Sequence, residues 1–261
     1  MLSTYQSYKI INSDMTRSLD RIASEPINKR ATDYYLANIE KVKSIDDFLK
    51  DDKLFSYAMK AFGLSDMTYA KGMMKKVLQE GVENTSSLAN RLADPRYKAF
   101  ATAFNFARYG YLTTTFAATQ SETVAKYNQQ TLEETAGQDN AGVRLALYFK
   151  RNAGNIKSSY NILADAALLK VVQTALNLPS AMSAADIDAQ AKEIDKRLKV
   201  ADLQDPKKLD KFLQRFTSMY DLQNTDPTTT SPILAAFTGQ SSQIGIGTDL
   251  MMKLQTLKLG R

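Results

Sequence analysis

The chain has 261 residues, 44% hydrophobic and 24% charged, with 34 Lys and Arg against 28 Asp and Glu for a net charge of +6. That supplies a sizeable core, and the positive charge is too dispersed for a nucleic-acid stripe. Cys, His and Trp are all missing, so disulfides, thiolate nucleophiles, zinc-thiolate sites and the commonest general base are excluded together.

Tyr5, Tyr8, Ile11, Met15, Leu19 and Ile22 fall at steps of three and four, predicting one amphipathic helix that ends at Glu25-Pro26. A second helix is expected from Asn28 to Val42. Ser44-Ile45-Asp46-Asp47 has capping spacing and opens a third, turning Leu49, Leu54, Ala58, Ala61 and Phe62 inward before the C-cap Gly63. Ser65 is expected to cap a fourth that ends at Gly81. Asp94-Pro95 starts another with Tyr97, Phe100 and Phe104. The Thr-rich stretch Leu112 to Ala118 is the one place where a strand competes. Helix returns from Ser121 to Ala136, and Gly137-Gln138-Asp139-Asn140 reads as a turn.

Sliding Tyr34–Leu64 by 114 residues onto Tyr148–Leu178 makes nine of 31 pairs identical, among them Tyr34/Tyr148, Asn38/Asn152, Ser44/Ser158 and Asp51/Asp165. Unrelated sequence gives roughly two. Leu92-x-Asp94-Pro95 is echoed by Leu203-x-Asp205-Pro206, and Phe100 and Phe104 by Phe212 and Phe216. The expected fold is therefore all-α, a multi-helix bundle of two duplicated helical units with amphipathic terminal helices. Its segments are an N-terminal helix (1–26), unit one (27–110), a connecting segment (111–142) and unit two (143–222). A Pro/Thr-rich linker (223–232) and a C-terminal amphipathic segment (233–261) complete it.

Chemistry finds little footing. Gly245-Ile246-Gly247 lacks the third glycine and the βαβ setting of a dinucleotide fingerprint. Asp46-Asp47 and Asp51-Asp52 lack EF-hand spacing and are better explained as helix N-terminal carboxylates. Glu133 and Glu134 point about 100° apart on a helix, so they do not form a glycosidase pair. No catalytic, cofactor-binding or metal-binding residue is nominated, and no enzymatic activity or cofactor is expected. The candidate partner contacts are the terminal stripes: Tyr8, Ile11, Met15 and Leu19 at one end, and Ile246, Leu250, Met251, Leu254 and Leu257 at the other. For each stripe the competing reading is packing on the chain's own core.

The unit Tyr34–Leu64, its Phe62-Gly63-Leu64 end and Asn90-Arg91-Leu92-Ala93-Asp94-Pro95-Arg96-Tyr97 carry a resemblance. Ala146-Leu147-Tyr148-Phe149, Ile162-Leu163-Ala164-Asp165 and Gly247-Thr248-Asp249-Leu250 carry it further. Together they resemble an uncharacterised helical family, a domain of unknown function found among flagellar genes of alphaproteobacteria. The resemblance implies a flagellum-associated structural or assembly role, with flagellar or export components as protein partners. The acid-free first 13 residues, with no charged n-region followed by an apolar h-region, fit export without a cleaved signal. Location is then the bacterial cytoplasm or the flagellum. No specific nucleic-acid partner and no membrane span are expected, and homo-oligomerisation stays open. The alternatives are a cytoplasmic chaperone or adaptor holding a partner helix between the units, and a ligand-binding protein or enzyme without a nominated site.

Overall fold

The computed structural model describes residues 2–224, and every regular element within them is helical. The fold class is all-α, as the 3.6-residue periodicity indicates. The first stripe is two helices rather than one, α1 (Thr4–Ser13) and α2 (Met15–Ser24). Asn12, Ser13 and Asp14 are weak helix formers, and the Asp14 carboxylate restarts the chain by accepting from the Arg17 N–H at 2.9 Å. Glu25 sits extended, as a residue before proline must, and Pro26 opens α3 (Pro26–Ile39). That helix stops short of Val42.

The expected third helix is also split, into α4 (Ile45–Lys50) and α5 (Asp52–Ala61). Asp51 breaks it by capping the Lys53 and Leu54 N–H groups, each at 3.0 Å. Gly63 takes φ +71° and ends α5. Ser65 begins a 3-10 turn instead of a helix, and α6 (Lys71–Glu80) starts five residues later than its neighbour Asp66. Then follow α7 (Leu88–Arg91), α8 (Pro95–Ala103) with Asp94 as its cap, and α9 (Phe106–Tyr109). The Thr-rich stretch forms a 3-10 turn (Gly110–Thr115), because its buried hydroxyls bond to backbone carbonyls in place of a strand partner.

The spine is α10 (Ser121–Asp139), which continues through the first three residues of the expected turn and breaks only at the fourth, Asn140. Gly137 is there for contact rather than for a bend. A Cβ on it would lie 2.7 Å from Arg144 Cδ on α11 (Ala141–Asn152), so glycine lets the two helices fold back closely. The remaining elements are α12 (Ser159–Leu163), α13 (Ala166–Leu176), α14 (Ile187–Arg197) and α15 (Pro206–Asn224).

Residues up to Asp221 form one unit, and Leu222 onward falls outside it. Two apolar clusters build that unit. One gathers Phe48, Phe55, Phe62, Phe100, Phe104 and Phe106, with Phe48 and Phe104 stacked at 4.9 Å. The other gathers Phe149, Val171, Val172, Ile194, Leu213 and Phe216. α10 serves both, giving Tyr127 to the first and Ala136 to the second.

Residues 114 apart make the same bonds. Asn38 Nδ2 donates to Tyr34 O at 2.8 Å, and Asn152 Nδ2 to Tyr148 O at 2.9 Å. The Leu64 N–H closes on Met59 O at 2.8 Å, and the Leu178 N–H on Gln173 O at 2.9 Å. Asp165 caps Ala167 and Leu168 as Asp51 caps its own helix. Asn177 at φ +51° stands where Gly63 stands.

Candidate functional site

Three regions compete for a functional role: the N-terminal arm, the polar seam along α10, and an exposed aromatic turn. In the arm, Tyr8 is only 2% exposed and belongs to the second cluster, against which Ile11 and Met15 pack half-buried. Leu19 is half-buried on α2. The stripe therefore lies on the chain's own core, and Tyr8 presents no surface to a partner while the arm is docked. The break at Asp14 is the physical reason that the stripe wraps the body instead of standing off as one rod. The other five candidates, Ile246, Leu250, Met251, Leu254 and Leu257, lie outside the described residues, as do the linker 223–232, apart from its first two residues, and the segment 233–261.

Sequence reading missed the clamp that holds the arm. Thr4 is fully buried; its N–H reaches the Asp221 carboxylate at 3.0 Å and its hydroxyl donates to the same group at 2.5 Å. Asn140 Nδ2 donates to Thr4 Oγ1 at 2.7 Å, while Asn140 Oδ1 caps α11 through Gly142 N at 2.8 Å. A Cβ at Gly142 would come within 2.5 Å of Tyr220 Cδ1 and 2.9 Å of Thr4 Cγ2, so glycine permits this three-way crossing. No local pattern links residues 217 positions apart.

The seam is ionic. Glu133, 1% exposed, takes Arg151 Nε at 2.7 Å and Nη2 at 2.8 Å on its two oxygens, and Gln129 at 2.9 Å. Glu134 points the other way, to Lys60 at 3.2 Å and Gln130 at 3.0 Å. The two carboxylates thus diverge as helical geometry requires, and each is held by a cation. The acidic pairs near α4 and α5 are spoken for as well. Asp46 meets Lys75 at 2.6 Å, Asp52 meets Lys71 at 2.5 Å, and Asp51 accepts from Tyr34 Oη at 2.8 Å. Hydrogen bonds from Ser44 and the Lys43 backbone hold the Asp47 carboxyl below its ordinary value. A surface pocket of about 520 Å³ lies among Tyr34, Asp47, Asp51 and three neighbours. Among the described residues no cluster of acidic side chains has metal-ligand geometry.

The aromatic turn is different in kind. Tyr109, Tyr111, Leu112 and Phe116 stand 41%, 61%, 46% and 40% exposed within eight residues. Between them Thr113 and Thr114 are fully buried, donating to Asn105 O at 3.2 Å and Val42 O at 3.0 Å. Thr119 ties the turn to itself through Thr113 O at 3.0 Å, and its own carbonyl accepts Tyr35 Oη. Tyr109 and Phe116 pack edge to face with centroids 5.0 Å apart. The result is a platform whose backbone is fixed from below and whose apolar side chains face solvent. The signal in the sequence is the interleaving of aromatics with threonines from Tyr109 to Phe116, which the strand propensity of threonine masks.

The sequence signature of the family described as Protein of unknown function (DUF1217) matches residues 61–209. A crystal structure of a protein from Agrobacterium tumefaciens, solved in a structural genomics programme, is 47% identical with a TM-score of 0.78. The match covers 86% of this chain and 97% of that one. No curated protein matches.

Proposed function

We propose a function from the premise that the chain belongs to the family described as Protein of unknown function (DUF1217). It is a non-catalytic assembly protein of the bacterial flagellum that works through protein–protein contact. The observation that carries the contact reading is the platform of Tyr109, Tyr111, Leu112 and Phe116. Tyrosine and phenylalanine on a rigid backbone supply contact area at small entropic cost, the composition of an interface anchor. Contiguous exposed apolar side chains rimmed by polar residues are a common mark of an interaction site.

The flagellar placement is supported by the resemblance carried on Tyr34–Leu64 and Asn90–Tyr97, and by the acid-free N-terminus. The bonds shared at an offset of 114 support reading the two stretches as copies of one scaffold. An adaptor would need an apolar groove between the two clusters. That space holds α10 with its ion pairs, which favours a contact surface on the outside.

The test is a chromosomal Tyr111→Ala/Leu112→Ala/Phe116→Ala chain beside a clean deletion, scored by swimming in soft agar and by fractionation. Both strains are expected to swim poorly, and the triple variant to leave the flagellar fraction while keeping its helical circular dichroism. Full motility of the deletion strain would overturn the flagellar placement. Wild-type behaviour of the triple variant alone would remove the platform.

A further inference from the structure

We infer that α1 and α2 form an exchangeable arm, which docks on its own chain or on the same surface of a second copy. The inference goes beyond the contact reading, since its occupant is another copy of this chain and its surface lies apart from the platform. Four observations support it.

The arm is peripheral to the cores. The first cluster contains none of its residues, and the second contains only Tyr8, with Ile11 and Met15 packed against it. Over its twenty residues the arm buries fully only Thr4, Tyr8 and Ile22. The body keeps both clusters when the arm leaves.

The docked interface is imperfect in polar terms. Among the described residues, the buried side-chain atoms without a hydrogen-bond partner are Tyr8 Oη, Asn128 Oδ1 and Thr131 Oγ1. Tyr8 is on the arm. The other two are on α10, which packs against α2, α5 and α11. At 100° per residue, Gln129, Glu133 and Gly137 face α11, and Tyr127 and Glu134 face α5. Asn128 is left on the side turned to α2, while Thr131 lies nearer the α5 face. The Tyr8 hydroxyl and the Asn128 carbonyl therefore regain a partner, water, when the arm lifts, which offsets part of its docking energy. Burial and the nearby Asp210 also push the Tyr8 phenol well above its ordinary pKa.

The connection to the body is short. Glu25 alone separates α2 from α3, and Pro26 keeps it extended at ψ 132°. Short connections of this kind favour exchange between copies over rearrangement within one.

The occupant is specified by the surface itself. Asn140, Asp221 and the space over Gly142 are shaped to Thr4, and every copy carries the same segment. Leu2 and Ile10 remain 58% and 61% exposed on the docked arm, so two exchanged arms have apolar faces to set together.

Because the chain has no cysteine, the test is clean. A Thr4→Cys chain and an Asn140→Cys chain are mixed, concentrated and oxidised with copper phenanthroline. The side chains at 4 and 140 touch at 2.7 Å, so a covalent heterodimer forms when one chain's arm sits on the other's body. Its yield should rise at least tenfold between dilute and concentrated mixtures. The Thr4→Cys/Asn140→Cys double variant should close within one chain when dilute, which shows that the positions can bridge. Hydrogen exchange on the unsubstituted chain gives an independent reading: amides from Tyr8 to Leu19 should exchange at least 100-fold faster than those of Val171 to Ala175. Equal protection of both segments overturns the arm, as does closure of the double variant with no heterodimer from the mixture. Exchange in a chain whose deletion leaves motility intact would keep the arm and remove the flagellar role; lost motility without exchange would do the reverse.

Discussion

The phenol of Tyr148 donates to the carboxylate of Asp165 over 2.6 Å, and the other oxygen of that carboxylate caps α13. Tyr34 and Asp51 make the same pair at 2.8 Å. One aspartate thereby ends a short helix, starts the next and holds the preceding helix against both. Both phenols are half-buried, but Tyr148 is held above its ordinary pKa chiefly by desolvation and Tyr34 chiefly by the hydrogen bond itself. Tyr148→Phe should cost about 1.5 kcal/mol, the range for a hydrogen bond to a charged group. Tyr34→Phe should cost less, because water replaces its phenol. Urea denaturation of both variants at pH 7 checks the order; equal losses would contradict it.

Among the described residues Arg151 is the one guanidinium on the buried Glu133, and it is itself 35% exposed. Removing one partner of a buried pair leaves an uncompensated charge, which costs about 3–5 kcal/mol, and solvent access to Arg151 places this case at the low end. Arg151→Ala should therefore lose about 3 kcal/mol. The Glu133→Leu/Arg151→Leu chain should lose less than Arg151→Ala alone, since neither charge is then stranded. A double variant that is less stable than Arg151→Ala would mean that the pair stabilises beyond cancelling its own desolvation.

Helices and caps were legible because they are local. Ser44, Gly63, Gly81 and Asp94-Pro95 sit where their backbone chemistry puts them. The breaks at Asp14 and Asp51 were not legible, because periodicity continues across a one-residue cap and only the cap's own bonds reveal the stop. Gly137 misled for the opposite reason: its meaning is a contact with Arg144 and not a turn. For the candidate site, the apolar character of the stripe of Tyr8, Ile11 and Met15 is local and legible, but whether it faces self or partner is a tertiary question. The Thr4–Asp221–Asn140 clamp joins residues that no window spans.

Asp94 gives the pH dependence a sign. Burial raises its carboxyl, but Arg96 outweighs that through Nε at 2.9 Å and Nη2 at 2.7 Å and through its backbone N–H, so the net shift is downward. A depressed folded pKa contributes stability that is complete above the unfolded value of about 3.9 and lost as pH falls through the folded value. Asp94→Asn keeps a competent cap for α8 but removes this contribution. Its thermal midpoint should sit below the parent's at pH 7 and converge with it as pH falls towards 2. Asp94→Ala should lose about 1 kcal/mol more at pH 7, for the cap. Parallel curves over the whole range would show that the Arg96 contact is not coupled to folding.

Gly63 and Gly81 separate two reasons for glycine. Both have positive φ, +71° and +62°, so an L side chain is strained at either turn by about 1–3 kcal/mol, most at Gly81, whose ψ of −150° lies in a region essentially confined to glycine. At Gly63 the nearest atoms to an added Cβ are 3.7 Å away, on Arg96 and Gln130, which is ordinary contact. Gly63→Ala should therefore cost only the backbone amount, about 1 kcal/mol, and Gly63→Asn less, because Asn177 holds the equivalent position at φ +51°. At Gly81 the Cβ would lie 2.8 Å from Ala107 Cβ and 3.1 Å from Asn105 Oδ1, and neither neighbour is the end of a flexible chain. Gly81→Ala should then add an overpacking cost to the backbone one, about 2–4 kcal/mol in all. Ala107→Gly should recover part of that loss by clearing the contact, while leaving Gly63→Ala unchanged. Denaturation midpoints of these five chains decide it: if Gly63→Ala and Gly81→Ala cost the same, conformation alone selects glycine at both turns.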